Sequence, residues 1–139
     1  MKRRLEIVFT LGLMLSVALV MSACKKQEVA SGGTDFTGVY TLVSVNGKRV
    51  PTSVSHGGAT LQVRSGTFII NADGTCSSKM VIVAPSGREV TREVAAKYTK
   101  DGSRLTMQWE GAGKTIGIVG DNSFTMDNEG MELVYTKNE

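Results

Sequence analysis

The chain has little of what most catalytic centres are made from. Its 139 residues include one histidine, two cysteines, two prolines and one tryptophan. Structural zinc takes four ligands and catalytic zinc three protein ligands. His56 and Cys76 have no neighbours at ligand spacing, so no metal and no cofactor is expected. There is no G-x-S-x-G, and any triad would have to use His56, in the run Ser53-Val54-Ser55-His56-Gly57-Gly58. A triad is assembled in space and not from loop neighbours, so His56 reads as an exposed loop residue. Gly111-Ala112-Gly113-Lys114 lacks the spacing of a phosphate loop and reads as a turn. Glu89 and Glu93 share a solvated strand face. With no catalytic constellation to assemble, the chain is read as no enzyme. The basic pairs Lys25-Lys26 and Lys48-Arg49 are too short for a nucleic-acid patch, which needs clustered charge.

The N-terminus is more informative. Met1-Lys2-Arg3-Arg4 is basic, and the apolar or small run from Ile7 to Val20 follows it. That order is the secretory pattern, and the run is short of the roughly 20 apolar residues that span a bilayer. Met21-Ser22-Ala23-Cys24 then resembles the lipobox of bacterial lipoproteins, with Met21 in the usual leucine position. The resemblance implies cleavage before Cys24 and lipid attachment (diacylglycerol, palmitate) to its sulfur. It also implies a lipid-anchored place in the cell envelope, at the outer membrane in a Gram-negative host because residue 25 is not aspartate. Stable anchoring takes more than one acyl chain, which a lipobox cysteine supplies. Removing residues 1–23 takes Lys2, Arg3, Arg4 and Glu6 out of 16 basic and 13 acidic residues, which lowers the formal charge from +3 to +1. The basic balance is therefore largely a property of the signal peptide.

Residues 24–35 (CKKQEVASGGTD) are small, polar and glycine-rich, as in a flexible tether. Residues 36–138 read as one domain. Turn signals such as Asn46-Gly47, Asp73-Gly74, Ser86-Gly87, Asp101-Gly102 and Glu129-Gly130 divide it at short intervals. Turns at such spacing between Val-, Ile-, Thr- and aromatic-rich segments indicate an all-β sandwich or barrel. Alternation gives inward rows: Cys76, Met80 and Ile82; Leu105, Met107 and Trp109; Ile116 and Ile118; Phe124 and Met126; Met131, Leu133 and Tyr135. Val90, Arg92, Val94, Ala96 and Tyr98 form one more row. Residues 39–45 are ambiguous, because Tyr40 and Leu42 compete with Val39, Val43 and Val45. The stretch from Pro51 to Gly58 reads as the one long loop. Short connections favour antiparallel neighbours, and closure removes exposed edges. The expected fold is a small antiparallel up-and-down β-barrel of about eight strands.

Gly38-Val39-Tyr40-Thr41-Leu42-Val43-Ser44-Val45-Asn46-Gly47, Pro51, Ser65-Gly66-Thr67-Phe68 and Asn71-Ala72-Asp73-Gly74-Thr75 together resemble the lipocalin-like domain of small bacterial lipoproteins. Gly130 with Leu133-Val134-Tyr135 is similar to that family's closing strand. Tyr40 stands where lipocalins proper often carry tryptophan. The aromatic-x-Leu strand and Asn-Gly turn are shared with the META type of small β-domain, the runner-up fold. The lipocalin-like resemblance implies a calycin-type barrel, in a family whose relatives often bind small apolar molecules.

An eight-stranded barrel is either filled by its own side chains or holds one small ligand. If hollow, Phe68, Tyr98, Met107 and Trp109 are the expected lining. Arg92 is then the partner of an internal carboxylate or of a ligand's acid head, or a rim arginine reaching solvent. Cys76 reads as a buried, inert thiol. Two functions follow: binding of a small apolar or amphipathic molecule at the envelope, or a filled barrel that contacts an envelope protein partner.

Overall fold

The computed structural model describes residues 35–139. The expected signal peptide over 1–23, Cys24 and residues 25–34 of the expected tether lie outside the described residues. Ten strands follow one another with no helix between them: β1 (Gly38–Val45), β2 (Lys48–Arg49), β3 (Thr52–His56), β4 (Ala59–Ile70), β5 (Thr75–Val83), β6 (Glu89–Asp101), β7 (Arg104–Trp109), β8 (Lys114–Val119), β9 (Ser123–Asn128) and β10 (Met131–Lys137). From β4 to β10 each strand pairs antiparallel with the next. β1 closes the circle by pairing with both β10 and β4. Eight strands therefore form a closed up-and-down barrel, the lipocalin-like architecture. β2 and β3 are additions that pair with β1 and β4 at one end.

Two hairpins show why the turn residues are where they are. Asn46 and Gly47 between β1 and β2, and Glu129 and Gly130 between β9 and β10, all have positive φ. Two such residues in a row are what a type I′ hairpin turn requires. Asn and Gly adopt this conformation readily. Glu129, at φ 53°, is the unusual occupant.

The interior is filled over most of its height. Tyr40, Phe68, Phe124 and Tyr135 meet at its centre, with ring centroids 4.5 Å apart for Phe68–Phe124 and 5.6 Å for Phe68–Tyr135. Leu105, Met107, Ile70, Leu42 and Leu133 pack around them, fully or almost fully buried. Burial of this kind, at roughly 25 cal/mol per Å² of apolar surface, is the main force holding a domain of this size together.

The structure corrects three expectations and resolves one ambiguity. Ile116 and Ile118 point outward, 42% and 49% exposed, and Gly117 between them faces the core. A Cβ on Gly117 would lie 2.3 Å from the Phe124 ring, so the ring occupies the space a side chain would need. In β1, Tyr40, Leu42 and Val45 all face inward, because a register shift between Leu42 and Ser44 moves the alternation by one residue. A bulge does this by inserting one unpaired residue, and it resolves the ambiguity over 39–45. The stretch Pro51–Gly58 is mostly strand β3 and not a loop. Val94 is 46% exposed although it lies on the inward row, for a reason found at the barrel mouth.

Candidate functional site

The two ends of the barrel differ. One end carries the β4–β5, β6–β7 and β8–β9 hairpins and the entry into β1. Phe36 covers it, edge-on to Tyr98 with centroids 6.0 Å apart, and the Lys100 ammonium lies 4.9 Å from the centre of the Phe36 ring. The Tyr98 hydroxyl donates to the Asn71 carbonyl at 2.5 Å, and that of Tyr40 to the Phe36 carbonyl at 2.7 Å. Lys137 Nζ donates to the Asp35 carbonyl. The Asp35 carboxylate accepts from the Thr37 hydroxyl and amide, bonds that hold its pKa below the ordinary value.

The other end is open, because β6 is thirteen residues long and β7 only six. Pairing of β6 with β7 begins at Ala96 opposite Trp109. The Glu110 amide adds a last link to the Ala95 carbonyl at 3.2 Å. From Glu89 to Val94, β6 pairs with β5 alone. The β5–β6 ribbon therefore stands above the barrel wall and leaves a breach beside the β7–β8 turn. Val94 lies in this breach, which is why an inward-facing residue is exposed.

A cavity of about 180 Å³ occupies the mouth. Met80 and Ser78 of β5, Val94 of β6, Trp109 of β7 and Met126 of β9 form its walls. Arg92, Glu110, Asn128 and Glu129 supply its polar groups. Trp109 is held by its indole N–H, which donates to the Thr115 hydroxyl at 2.9 Å. Across the mouth, His56 Nε2 lies 2.9 Å from Glu129 Oε2 and ties the β3–β4 hairpin to the β9–β10 turn. A shallower hollow outside the wall shares Trp109, Ala112, Asn128 and Glu129 with the mouth and runs on along the start of β8.

Two of the five candidate ligand residues are brought together here. Arg92 and Trp109 line the cavity. Arg92 is exposed at the rim and forms no ion pair among the described residues. Phe68 and Met107 are fully buried in the filled core, Phe68 with its ring edge-on to Trp109 at 6.2 Å. Tyr98 sits at the closed end, away from the cavity. Cys24 lies outside the described residues. Cys76 is buried, and burial pushes its thiol up to about 11, which keeps it protonated.

Sequence reasoning missed Ser78 as a site residue. Ser78 is the buried polar residue of the core among the described residues, and it lines the cavity. Tyr135 is wholly buried, and its hydroxyl has no hydrogen-bond partner. Burial pushes its pKa up to about 12, and the nearby Ser78 hydroxyl partly opposes that. The serine within the row Cys76, Ser78, Met80, Ile82 was the available signal: a hydroxyl on an otherwise apolar inward face.

Among the described residues no three of His, Cys, Asp or Glu converge to hold a metal ion. No family model and no curated protein matches the chain. Among solved structures, a lipocalin-like protein from Bacteroides uniformis is similar, at 16% identity and a TM-score of 0.45, over 74% of this chain and 98% of that one.

Proposed function

We propose that this chain is a bacterial envelope lipoprotein, anchored to a membrane through Cys24, whose barrel binds a small amphipathic molecule at its open mouth. The observation that carries this reading is the position of the cavity. It lies between apolar walls at one end of an otherwise filled barrel, with both Trp109 and Arg92 in its lining. Ligand pockets are concave and mostly apolar, with a few placed polar groups, and run to roughly 300–1,000 Å³. At about 180 Å³ this one takes one end of a molecule. The rest would lie in the breach along Val94 and Val90, both exposed on the inner face of the β5–β6 ribbon. Arg92 at the rim suits an acidic group outside the cavity.

The anchor and the cargo are tested separately. Labelled palmitate should be incorporated into the protein and lost in Cys24→Ser; labelling that persists would remove the anchor. For cargo, the mass of protein taken from membranes is measured under native and denaturing conditions. Covalent acyl chains contribute to both masses, whereas cargo contributes only to the native one. Val94→Trp, which fills the breach, should abolish the difference.

A second reading, a non-enzymatic module that contacts another envelope protein, is favoured by one feature. From Glu89 to Val94, β6 has no neighbour on its β7 side, and a free strand edge is a template for strand addition. A photo-crosslinker at Glu93 should then capture one protein in cells, and Thr91→Pro should prevent it.

A further inference from the structure

Above the barrel wall β6 has an edge that no strand covers. The Ala95 carbonyl accepts from the Glu110 amide on the side of β7, and the Tyr98 amide donates to the Gly74 carbonyl on the side of β5. Backbone groups of a paired strand alternate between its two neighbours. The N–H and C=O of Glu89, Thr91 and Glu93 therefore point to the β7 side, where the ladder has ended. Side chains alternate between the two faces. Val90, Arg92 and Val94 face the mouth, and Glu89, Thr91 and Glu93 face outward. From Glu89 to Val94 every residue is exposed. A hollow adjoins this edge on each face. Inside is the mouth cavity, lined in part by Arg92 and Val94. Outside, Glu93 and Glu110 flank a second hollow beside the small residues Ser77 and Ala95. Neither carboxylate forms an ion pair among the described residues, although Lys79 is opposite Glu93 on β5.

From this we infer that an extended segment of a partner protein adds to the β6 edge, with an apolar side chain in the mouth cavity and a basic one between Glu93 and Glu110. The inference rests on the strand-addition reading above and names the partner's chemistry. In strand addition, main-chain hydrogen bonds supply affinity and pockets for alternate side chains supply specificity. Both are present here. A strand that continues the ladder of β7 runs antiparallel to β6, and its residue opposite Glu93 points outward to the two carboxylates. The residues before and after that one point to the mouth. The cavity, about 180 Å³, suits a single apolar side chain, since a cavity of roughly 150 Å³ holds a benzene-sized molecule. A second copy of this chain is a poorer occupant. The two symmetric pairings of the edge that join the most residues set Glu89 opposite Glu93, or Arg92 opposite its own copy. Like charges directly opposite each other destabilise a strand pair.

The probe is the peptide acetyl-Phe-Lys-Val-Thr-Val-Thr-amide, whose lysine falls opposite Glu93 and whose phenylalanine faces the mouth. It is titrated against the full-length protein in phosphatidylcholine vesicles. Calorimetry reads binding. Emission of Trp109, the one tryptophan of the chain and a wall of the cavity, reads filling of the mouth. The peptide should bind saturably and change the emission. Glutamate in place of its lysine should weaken binding about tenfold, and Glu93→Lys should reverse that preference. Alanine in place of its phenylalanine should weaken binding about tenfold or more and remove the emission change. N-methylation of the lysine amide, which faces β6, should abolish binding, whereas N-methylation of the following valine amide, which faces away, should be tolerated. Equal affinity for the lysine and glutamate peptides, or binding without an emission change, would overturn the inference; if N-methylation at lysine still abolished binding, strand addition itself would stand. Binding that ignores both N-methylations, or no saturable binding of any peptide, would overturn the strand-addition reading as well and leave the small-molecule reading. If Glu93→Lys does not fold, the lysine and glutamate peptides on the unaltered protein decide.

Discussion

At the closed end of the barrel the Tyr98 and Tyr40 hydroxyls donate to the Asn71 and Phe36 carbonyls, and the Phe36 ring covers the core. Towards the mouth Val94 is exposed on an inward row, and a cavity remains. Both ends are built from the same strands with the same alternation. They differ because β6 continues past the end of β7. Where the wall is complete, side chains fill it and polar atoms find partners; where one strand lacks its neighbour, apolar surface stays available. The cavity is thus a product of unequal strand lengths more than of any special residue.

The largest test of this contrast is Phe68→Ala. Phe68 is the link between the central aromatic cluster and the Trp109 wall. Its loss should cost about 3–5 kcal/mol, read as a lower urea midpoint, a large fraction of the 5–15 kcal/mol typical of a domain. It should also deepen the mouth cavity. A cost within about 0.5 kcal/mol would mean that the interior is not filled as described. Gly117→Ala follows at about 3 kcal/mol, because a rigid ring in a packed core cannot yield the space that a Cβ needs. The same change at Gly113, where nothing lies within 4 Å, is the control.

Much of this was legible in the sequence, and the exceptions have a common cause. Alternation and turn spacing gave strands, neighbours and closure, and the rows around Leu105, Phe124 and Leu133 face inward as read. Alternation defines two faces without saying which is inside. In β8 the apolar face is outside, because Phe124 from the next strand fills the space over Gly117. The β1 register shift likewise depends on β10. At the candidate site, Arg92 and Trp109 were found because each breaks or caps a row. Ser78 joins Trp109 and Met126 only in the folded barrel, from strands far apart in the chain.

Alkaline unfolding tests the burial of Tyr135. Below pH 10 both the folded and the unfolded chain hold the phenolic proton. Between pH 10 and about 12 the unfolded chain loses it while the folded chain keeps it. The unfolded state then binds fewer protons, so stability falls as pH rises through this window. Two pH units correspond to roughly 2–3 kcal/mol. Cys76, raised for the same reason, begins to contribute a little lower, from about pH 9. Tyr135→Phe should flatten the decline above pH 10; an identical slope in the variant would show that the phenol ionises freely in the folded state. At pH 7 the same substitution sharpens the contrast with the closed end. Tyr40→Phe loses a made hydrogen bond and should cost about 1 kcal/mol, whereas Tyr135→Phe removes a buried hydroxyl that lacks an acceptor and should stabilise by about 1 kcal/mol.

The smallest effect concerns the rim. Glu129 occupies a left-handed position that favours Asn or Gly, and its carboxylate meets His56 across the mouth. Backbone strain at such a residue is on the order of 1 kcal/mol, while an exposed ion pair of this kind contributes about 0.2–1 kcal/mol. Glu129→Asn relieves the first and gives up the second, so it should stabilise the fold slightly, by about 0.5 kcal/mol. His56→Ala gives up the contact without relieving the strain and should destabilise by about the same amount. Opposite signs in thermal unfolding would mean that the contact holds the β3–β4 hairpin over the mouth at the expense of a strained turn. If both variants were destabilised equally, the turn would carry no strain and Glu129 would serve as an ordinary hairpin residue.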